Sequence, residues 1–291
     1  MTAQHFAPDA SLAPRLLPQA KRKMRRLPAT LIAGAVILAF FVICALLPDR
    51  FLPYDPIGFD YGALLEPPGT AHLFGTDQFG RDVLSRTIAA TRIDLEIALF
   101  ATIFPLAIGA VIGLLVGYLG GLLDIVFGRL IDLVVTFPLL VIIIAIVAVL
   151  GPGLANMYIA LALVNWVFYG RLMRAEVMVQ SQSDYVAAAR VLGFAPLRIV
   201  LRHILPNCAR PLIAYWVTDM ALAILLGSSL GYLGLGAQPP TAEWGVIIAD
   251  GKNFMSTAWW ISVFPGFAIV LAGLGFSLVG DGIADLFRRR T

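Results

Sequence analysis

The chain has 291 residues, of which 59% are hydrophobic and 13% charged, with a mean hydropathy of +0.87 and a formal net charge of +3. That balance excludes a water-soluble globular domain, whose surface needs about a quarter of its residues charged. Two cysteines (Cys44, Cys208) and three histidines (His5, His72, His203) are scattered, so neither a disulfide framework nor a metal-binding spacing follows.

A helix needs about 20 apolar residues to cross a hydrocarbon layer of about 30 Å. Six runs reach that length: Leu27–Leu47, Ile93–Gly117, Leu130–Leu150, Asn156–Met173, Pro211–Leu235 and Trp259–Val279. The fold class expected is therefore all-α, a polytopic membrane protein with six transmembrane helices. The first run follows the basic stretch Lys21–Arg26. It is too long for a signal-peptide core and has no clear small-x-small cleavage site before Pro48, so it reads as a retained helix.

Residues 48–92, rich in Pro, Gly and Asp, read as an ordered extracytoplasmic loop with an amphipathic helix near Val83–Ala90. In the second span, Gly109, Gly113 and Gly117 recur every fourth residue and are followed by Gly121. Such a stripe lets another helix approach closely, within the subunit or from a partner. Pro105 is expected to kink this helix. Arg92 stands four before Glu96 and reads as a surface pair, with Asp94 beside it. Asp124, Arg129 and Asp132 at the next turn read the same way. Asn165 interrupts the fourth run, where Trp166 and Tyr169 suit a membrane interface.

A polar, basic segment, Arg171 to Asn207, separates the fourth and fifth runs. Ser183 is placed to cap a short helix, Tyr185–Leu192, with Asp184 at its positive end and Gly193 stopping it. A second stretch, Leu197–Leu205, puts Leu197, Val200, Leu201 and Ile204 on one face and Arg198 and Arg202 on another. Pro206 is expected to close it. The segment reads as a helical knob suited to docking in a cleft.

Asp219 lies eight residues into the fifth span, where a charge costs about 2.5–3.5 kcal/mol. It stands as a candidate for the wall of a translocation path, with Trp216 and Ala223. The alternative is a hydrogen bond to a neighbouring helix, for instance through Thr218 or Asn165. Gly227-Ser228-Ser229-Leu230-Gly231 matches the serine-hydrolase elbow, but that motif needs a strand–turn–helix setting, and small-residue packing at Gly227 and Gly231 explains it better. The sequence contains neither a Gly-x-x-x-x-Gly-Lys-Ser/Thr phosphate loop nor a His-Glu-x-x-His pair, so energy must come from a partner or a gradient. Orientation follows from charge: with the N-terminus inside, sixteen of the twenty-one Lys and Arg fall on the cytoplasmic side, which puts the knob there.

The knob resembles the EAA loop of ATP-binding-cassette (ABC) importer permeases. Ala187-Ala188-Ala189 stands at the EAA position, Gly193 at the glycine and Leu205-Pro206 at the end. Arg202–Asn207, Leu73–Asp82, Leu233–Gly245 and Gly280–Asp285 resemble motifs of the second permease of the dipeptide/oligopeptide/nickel family, in the same order. Two departures stand out: Ala187 replaces the family's usual glutamate, and Ala284 stands where an arginine is common. The resemblance implies a type I importer permease with a 1–26 cytoplasmic tail, a first helix over 27–47, an extracytoplasmic loop over 48–92, a five-helix core over 93–285 holding the 174–207 coupling loop, and a 286–291 tail. It implies coupling to ATPase subunits through Asp184, Tyr185, Ala187, Ala188, Ala189, Gly193, Leu205 and Pro206. The partners implied are a homologous permease, two cytoplasmic ATPases that bind ATP and Mg, and an extracytoplasmic solute-binding protein. No cofactor is implied in this chain. The cargo implied is a di- or oligopeptide, with nickel the alternative. From another class, a stand-alone gradient-driven carrier would be expected to show repeated halves or charge relays, and one central charge without a repeat does not match that pattern.

Overall fold

A computed structural model describes residues 27–288. The expected 1–26 tail and the last three residues of the 286–291 tail lie outside the described residues. The long helices are α1 (Ala29–Leu46), α2 (Val83–Leu119), α3 (Gly121–Thr136), α4 (Leu139–Leu150), α5 (Leu154–Ser181), α8 (Leu205–Tyr232) and α10 (Trp260–Arg288). Shorter helices α6 (Asp184–Val191), α7 (Pro196–Ile199) and α9 (Trp244–Gly251) sit in the connections. Among the described residues there is no strand, only the isolated bridge Thr76–Asp82.

Four helical stretches are long and apolar enough to cross a membrane: α1, α2, the continuous helix from Pro196 to Tyr232, and α10. The third expected span, Leu130–Leu150, is broken. Phe137 is extended (φ −94°, ψ 146°) because Pro138 forbids the α conformation to the residue before it, and α3 and α4 meet at 90°. Counted as one crossing, the bent pair is a fifth. The fourth expected span lies in α5, which is 28 residues long but diluted by Asn156, Asn165, Arg171, Arg174 and Glu176.

The amphipathic helix expected near Val83–Ala90 is not separate. No glycine or proline stands between it and the second span, so both form α2, 37 residues and about 55 Å long. Its first turns therefore project beyond a 30 Å layer, and Pro105 lies buried within it without ending it.

Apolar side chains form three clusters along the molecule. One, under α9, joins α1, α2, α8 and α10 through Phe41, Trp244, Ile261 and Phe276. The second joins α2, α4, α5 and α8 around Ile97, Ile143, Leu161 and Ala223. The third runs from Tyr169 down α5 and α8 into the knob. α2 packs most extensively on α5, and the glycine stripe is where they meet. A Cβ on Gly109 would stand 2.4 Å from the Trp166 carbonyl oxygen, on Gly113 2.4 Å from that of Gly170, and on Gly117 2.9 Å from that of Arg174. The stripe thus faces a helix of the same chain.

Candidate coupling site

The knob begins where α5 ends. Ser183 occupies the N-cap position of α6, but its hydroxyl donates to the Gln180 carbonyl at 2.5 Å and caps nothing; the amides of Val186 and Ala187 are satisfied by the Ser183 carbonyl instead. The other end follows the expected glycine stop. Gly193 is left-handed (φ +77°), the Phe194 amide donates to Ala189, and the Gly193 amide donates to Arg190. This is the paired closure that a glycine after a helix permits, and it folds Phe194 back beneath the knob. Above that ring, His203 stacks at 5.9 Å and the Arg198 guanidinium lies 5.6 Å away.

Pro206 does not close the second stretch. It falls in the first turn of α8, where its missing N–H is tolerated, and the chain runs on to Tyr232. Its ring would collide with the Arg202 carbonyl in a regular α-helix. The turn Val200–Ile204 widens to a π-helix, with the Leu205 amide donating to Val200.

The buried face of the knob also differs from expectation. Val186, Ala189, Ile199, Val200 and Ile204 are buried, while Leu197 and Leu201 point outward. The exposed side carries Val191 (88% exposed), Leu192 (71%), Leu197 (69%) and Leu201 (52%), with Asp184, Ala187, Ala188, Arg190 and Arg198. Ala189 is turned inward, so only two of the three alanines are accessible. Tyr185 bridges the base: its hydroxyl donates to Gln180 Oε1 at 2.5 Å and accepts from Asn207 Nδ2 at 3.3 Å. Leu205 packs half-buried beneath, and Pro206 is exposed. Four large apolar side chains exposed within eleven residues of the knob suit an interaction surface.

Within the spans, the three candidate path residues are turned into the subunit. Ala223 is in the core beside Ile97 and Ala101. The Trp216 indole donates to Thr102 Oγ1 of α2 at 2.9 Å. Asp219 is 8% exposed, and its partner is neither Thr218 nor Asn165: the Tyr169 hydroxyl of α5 donates to its Oδ2 at 2.6 Å. Ser229 lies inside α8 with its hydroxyl on the Leu225 carbonyl, so the strand–turn–helix setting of a nucleophile is absent. Asp124 does not pair with Arg129; it takes a two-pronged bond from Arg174, which ties α3 to α5. Arg92 and Glu96 do form the exposed pair, at 3.2 Å.

At the end opposite the knob, Asp94 departs from its surface reading. It is buried, accepting from the Trp244 amide at 3.1 Å and the Ser228 hydroxyl at 3.3 Å. Glu243 lies against it, side chain to side chain, capping α9 through the amides of Gly245 and Val246. Burial pushes the Glu243 carboxyl above the usual range, although the two α9 amides pull it down. Gly231 is where α8 makes room, since a Cβ there would lie 1.9 Å from Glu243 Oε2.

Nearby, Asp77 gathers the Leu73–Asp82 loop. It accepts from the amides of Phe79 and Arg81, from Arg81 Nε at 2.7 Å and from Arg86 Nη1 at 2.5 Å. Arg81 and Arg86 each reach Asp250 at 3.1 Å, joining this loop to α9. Asp82 caps α2 through the Ser85 amide and pairs with His72. Sequence reasoning missed these pairings because the partners lie up to 169 residues apart; the density of Asp and Arg in a short Gly-rich loop was the one local signal.

Residues 109–291 match the family model described as binding-protein-dependent transport system inner membrane component. The chain is 41% identical over 260 residues to a di/tripeptide transport system permease protein of Pseudomonas aeruginosa (strain UCBPP-PA14), covering 87% of this chain and 86% of that one. It is 40% identical over 255 residues to a probable D,D-dipeptide transport system permease protein of Escherichia coli (strain K12), covering 88% and 86%. To a glutathione transport system permease protein of Pectobacterium atrosepticum it is 36% identical over 265 residues, covering 91% and 88%.

Proposed function

The chain belongs to the family of binding-protein-dependent transport system inner membrane components, and from that premise we propose that it forms one half of the path of an ATP-driven importer for di- or oligopeptides. The observation that supports the coupling role is the exposure of Val191, Leu192, Leu197 and Leu201 on a glycine-closed helical turn between two long helices. Two ATPase subunits supply the clefts, one for this knob and one for the knob of a homologous permease. With no carboxylate at Ala187, the grip on this knob is apolar, supplemented by Asp184, Arg190 and Arg198. The charge asymmetry of the sequence puts the knob and both termini in the cytoplasm and the Asp77 and Glu243 clusters outside, where a solute-binding protein delivers the cargo. The peptide cargo is supported by the names of the relatives.

When the ATPases close on ATP, the displaced knob carries α5 and α8 with it and rocks them against α2 and α10. Access then switches from one side of the membrane to the other, a rigid-body transition. The test is a Leu192→Cys variant cross-linked in native membranes; the native cysteines Cys44 and Cys208 are both buried and contribute little background. Capture of an ATPase subunit bearing a phosphate-binding loop is the expected result. A chain that captures none and transports peptide in liposomes without ATP would overturn the reading in favour of a gradient-driven carrier.

A further inference from the structure

We propose that the Tyr169–Asp219 hydrogen bond is a latch that makes α5 and α8 move as one lever when the knob is displaced, an inference that rests on the coupling reading above. The chain leaves α5 to build the knob and returns through α8, so these two helices are the knob's covalent arms. Next to the knob the arms touch directly through Met173, Val177, Ile204, Cys208 and Leu212, all apolar or sulfur-bearing, and their polar link there is indirect and exposed, through the Tyr185 hydroxyl of α6 between Gln180 and Asn207. An apolar contact between helices in lipid has little directional preference, because the lipid is as apolar as the partner, and a small slide costs little.

The Tyr169 hydroxyl on Asp219 Oδ2, at 2.6 Å, is among the described residues the single side-chain hydrogen bond between α5 and α8. It lies twelve residues above the end of α5, about 18 Å from the knob. A bond to a carboxylate in a low-dielectric setting is strong and directional, so it fixes register where the apolar contact does not. Tyr169 is braced for the task. Gly109 of α2 gives it room, a Cβ there falling 2.6 Å from the Tyr169 Cβ, and Tyr215 packs edge-on at 5.1 Å. Tyr169 is thus packed between α2 and α8, with its hydroxyl bonded to Asp219. A carboxylate that is 8% exposed and already bonded is built for positioning rather than for meeting cargo.

The test uses the complete importer in proteoliposomes, with peptide uptake and ATP hydrolysis measured per assembled complex. Tyr169→Phe removes one oxygen, Asp219→Leu removes the acceptor, and Asp219→Asn keeps an acceptor but removes the charge. The expectation is that Tyr169→Phe and Asp219→Leu lower peptide transported per ATP by about tenfold, the factor one hydrogen bond to a charged group supports, while Asp219→Asn stays within about threefold of wild type. Normal coupling in Tyr169→Phe would overturn the latch. So would an Asp219→Asn variant as damaged as Asp219→Leu, which would mark a charge needed in the path. Failure of Tyr169→Phe to assemble would reduce the bond to a folding contact. If the coupling reading itself is wrong, the wild-type control shows it, because uptake then proceeds without ATP or without ATPase subunits.

Discussion

Replacing Gly113 by alanine tests the close approach of α2 to α5 at the middle of the glycine stripe. The new methyl would stand 2.4 Å from the Gly170 carbonyl oxygen and 2.8 Å from the Met173 Cβ. Favourable carbon contacts lie near 3.5–4.0 Å, so the two helices must part locally by about 1 Å. The obstacle is backbone, which cannot swing aside as a side chain would. Overpacking of this kind costs about 1–3 kcal/mol. Because Gly109 and Gly117 share the seam, one separation loosens all three contacts, and Gly109→Ala combined with Gly113→Ala should cost less than the sum. Gly128→Ala is the internal control, since its Cβ would meet nothing within 4 Å. The assay is thermal stability of the purified chain in mild detergent, where each kcal/mol moves the midpoint by about 2–4 °C. Gly113→Ala is expected to melt several degrees below Gly128→Ala, and uptake should fall with it, because α5 carries the knob. Equal midpoints for the two variants would refute the packing argument.

Three further outcomes follow from the geometry. Gly193 has φ +77° and open space around it, so Gly193→Ala costs only left-handed strain, about 1–2 kcal/mol. Binding-protein-stimulated ATP hydrolysis should drop with insertion intact, Gly193→Asp should drop it further, and wild-type stimulation in both would count against the knob. Asp77→Ala strips Arg81 and the buried Arg86 of one of their two shared carboxylates, leaving Asp250 alone, and should destabilise the far-end loop by about 1–3 kcal/mol. Faster proteolysis of residues 48–82 in sealed cells would register it, and unchanged cleavage would contradict it. For Glu243 the sign is fixed by its raised folded value. The folded state holds a proton that the unfolded chain releases near about pH 4.3, so stability is greatest in acid and falls as pH rises toward the folded value. Glu243→Gln, which removes the titrating group but keeps an oxygen to accept from the α9 amides, should flatten that slope in melting curves taken from about pH 4 upward; an unchanged slope would clear Glu243 of any role.

Much of the molecule was legible in the sequence, because hydrophobic length and glycine placement act locally. Six apolar runs foretold the helical segments, and Gly193 foretold the knob's left-handed stop. Where the reading failed, a local rule met a non-local or neighbouring constraint. Pro206 reads as a terminator, yet a widened turn absorbs it, and Pro138 breaks a span that hydropathy alone makes continuous. Leu197 and Leu201 fit the apolar stripe of a buried face but stand exposed, while Ile199, Val200 and Ile204 turn inward onto residues of α5 and α8 that are distant in sequence.

By itself, the sequence determined a polytopic helical membrane chain, the place and closure of its knob, and its kinship with importer permeases. Only the tertiary structure decided which helices the glycine stripe joins, that Asp219 is tied to Tyr169, that Asp94 lies buried against Glu243, and that Asp77 and Asp250 share two arginines. The reason is one of range. Crossing length, helix stops and motif order are fixed by residues within a few turns of each other. A buried charge in a membrane protein finds its partner on another helix, 50 residues away for Asp219 and 150 for Asp94 and the Trp244 amide, and that distance closes only when the helices pack.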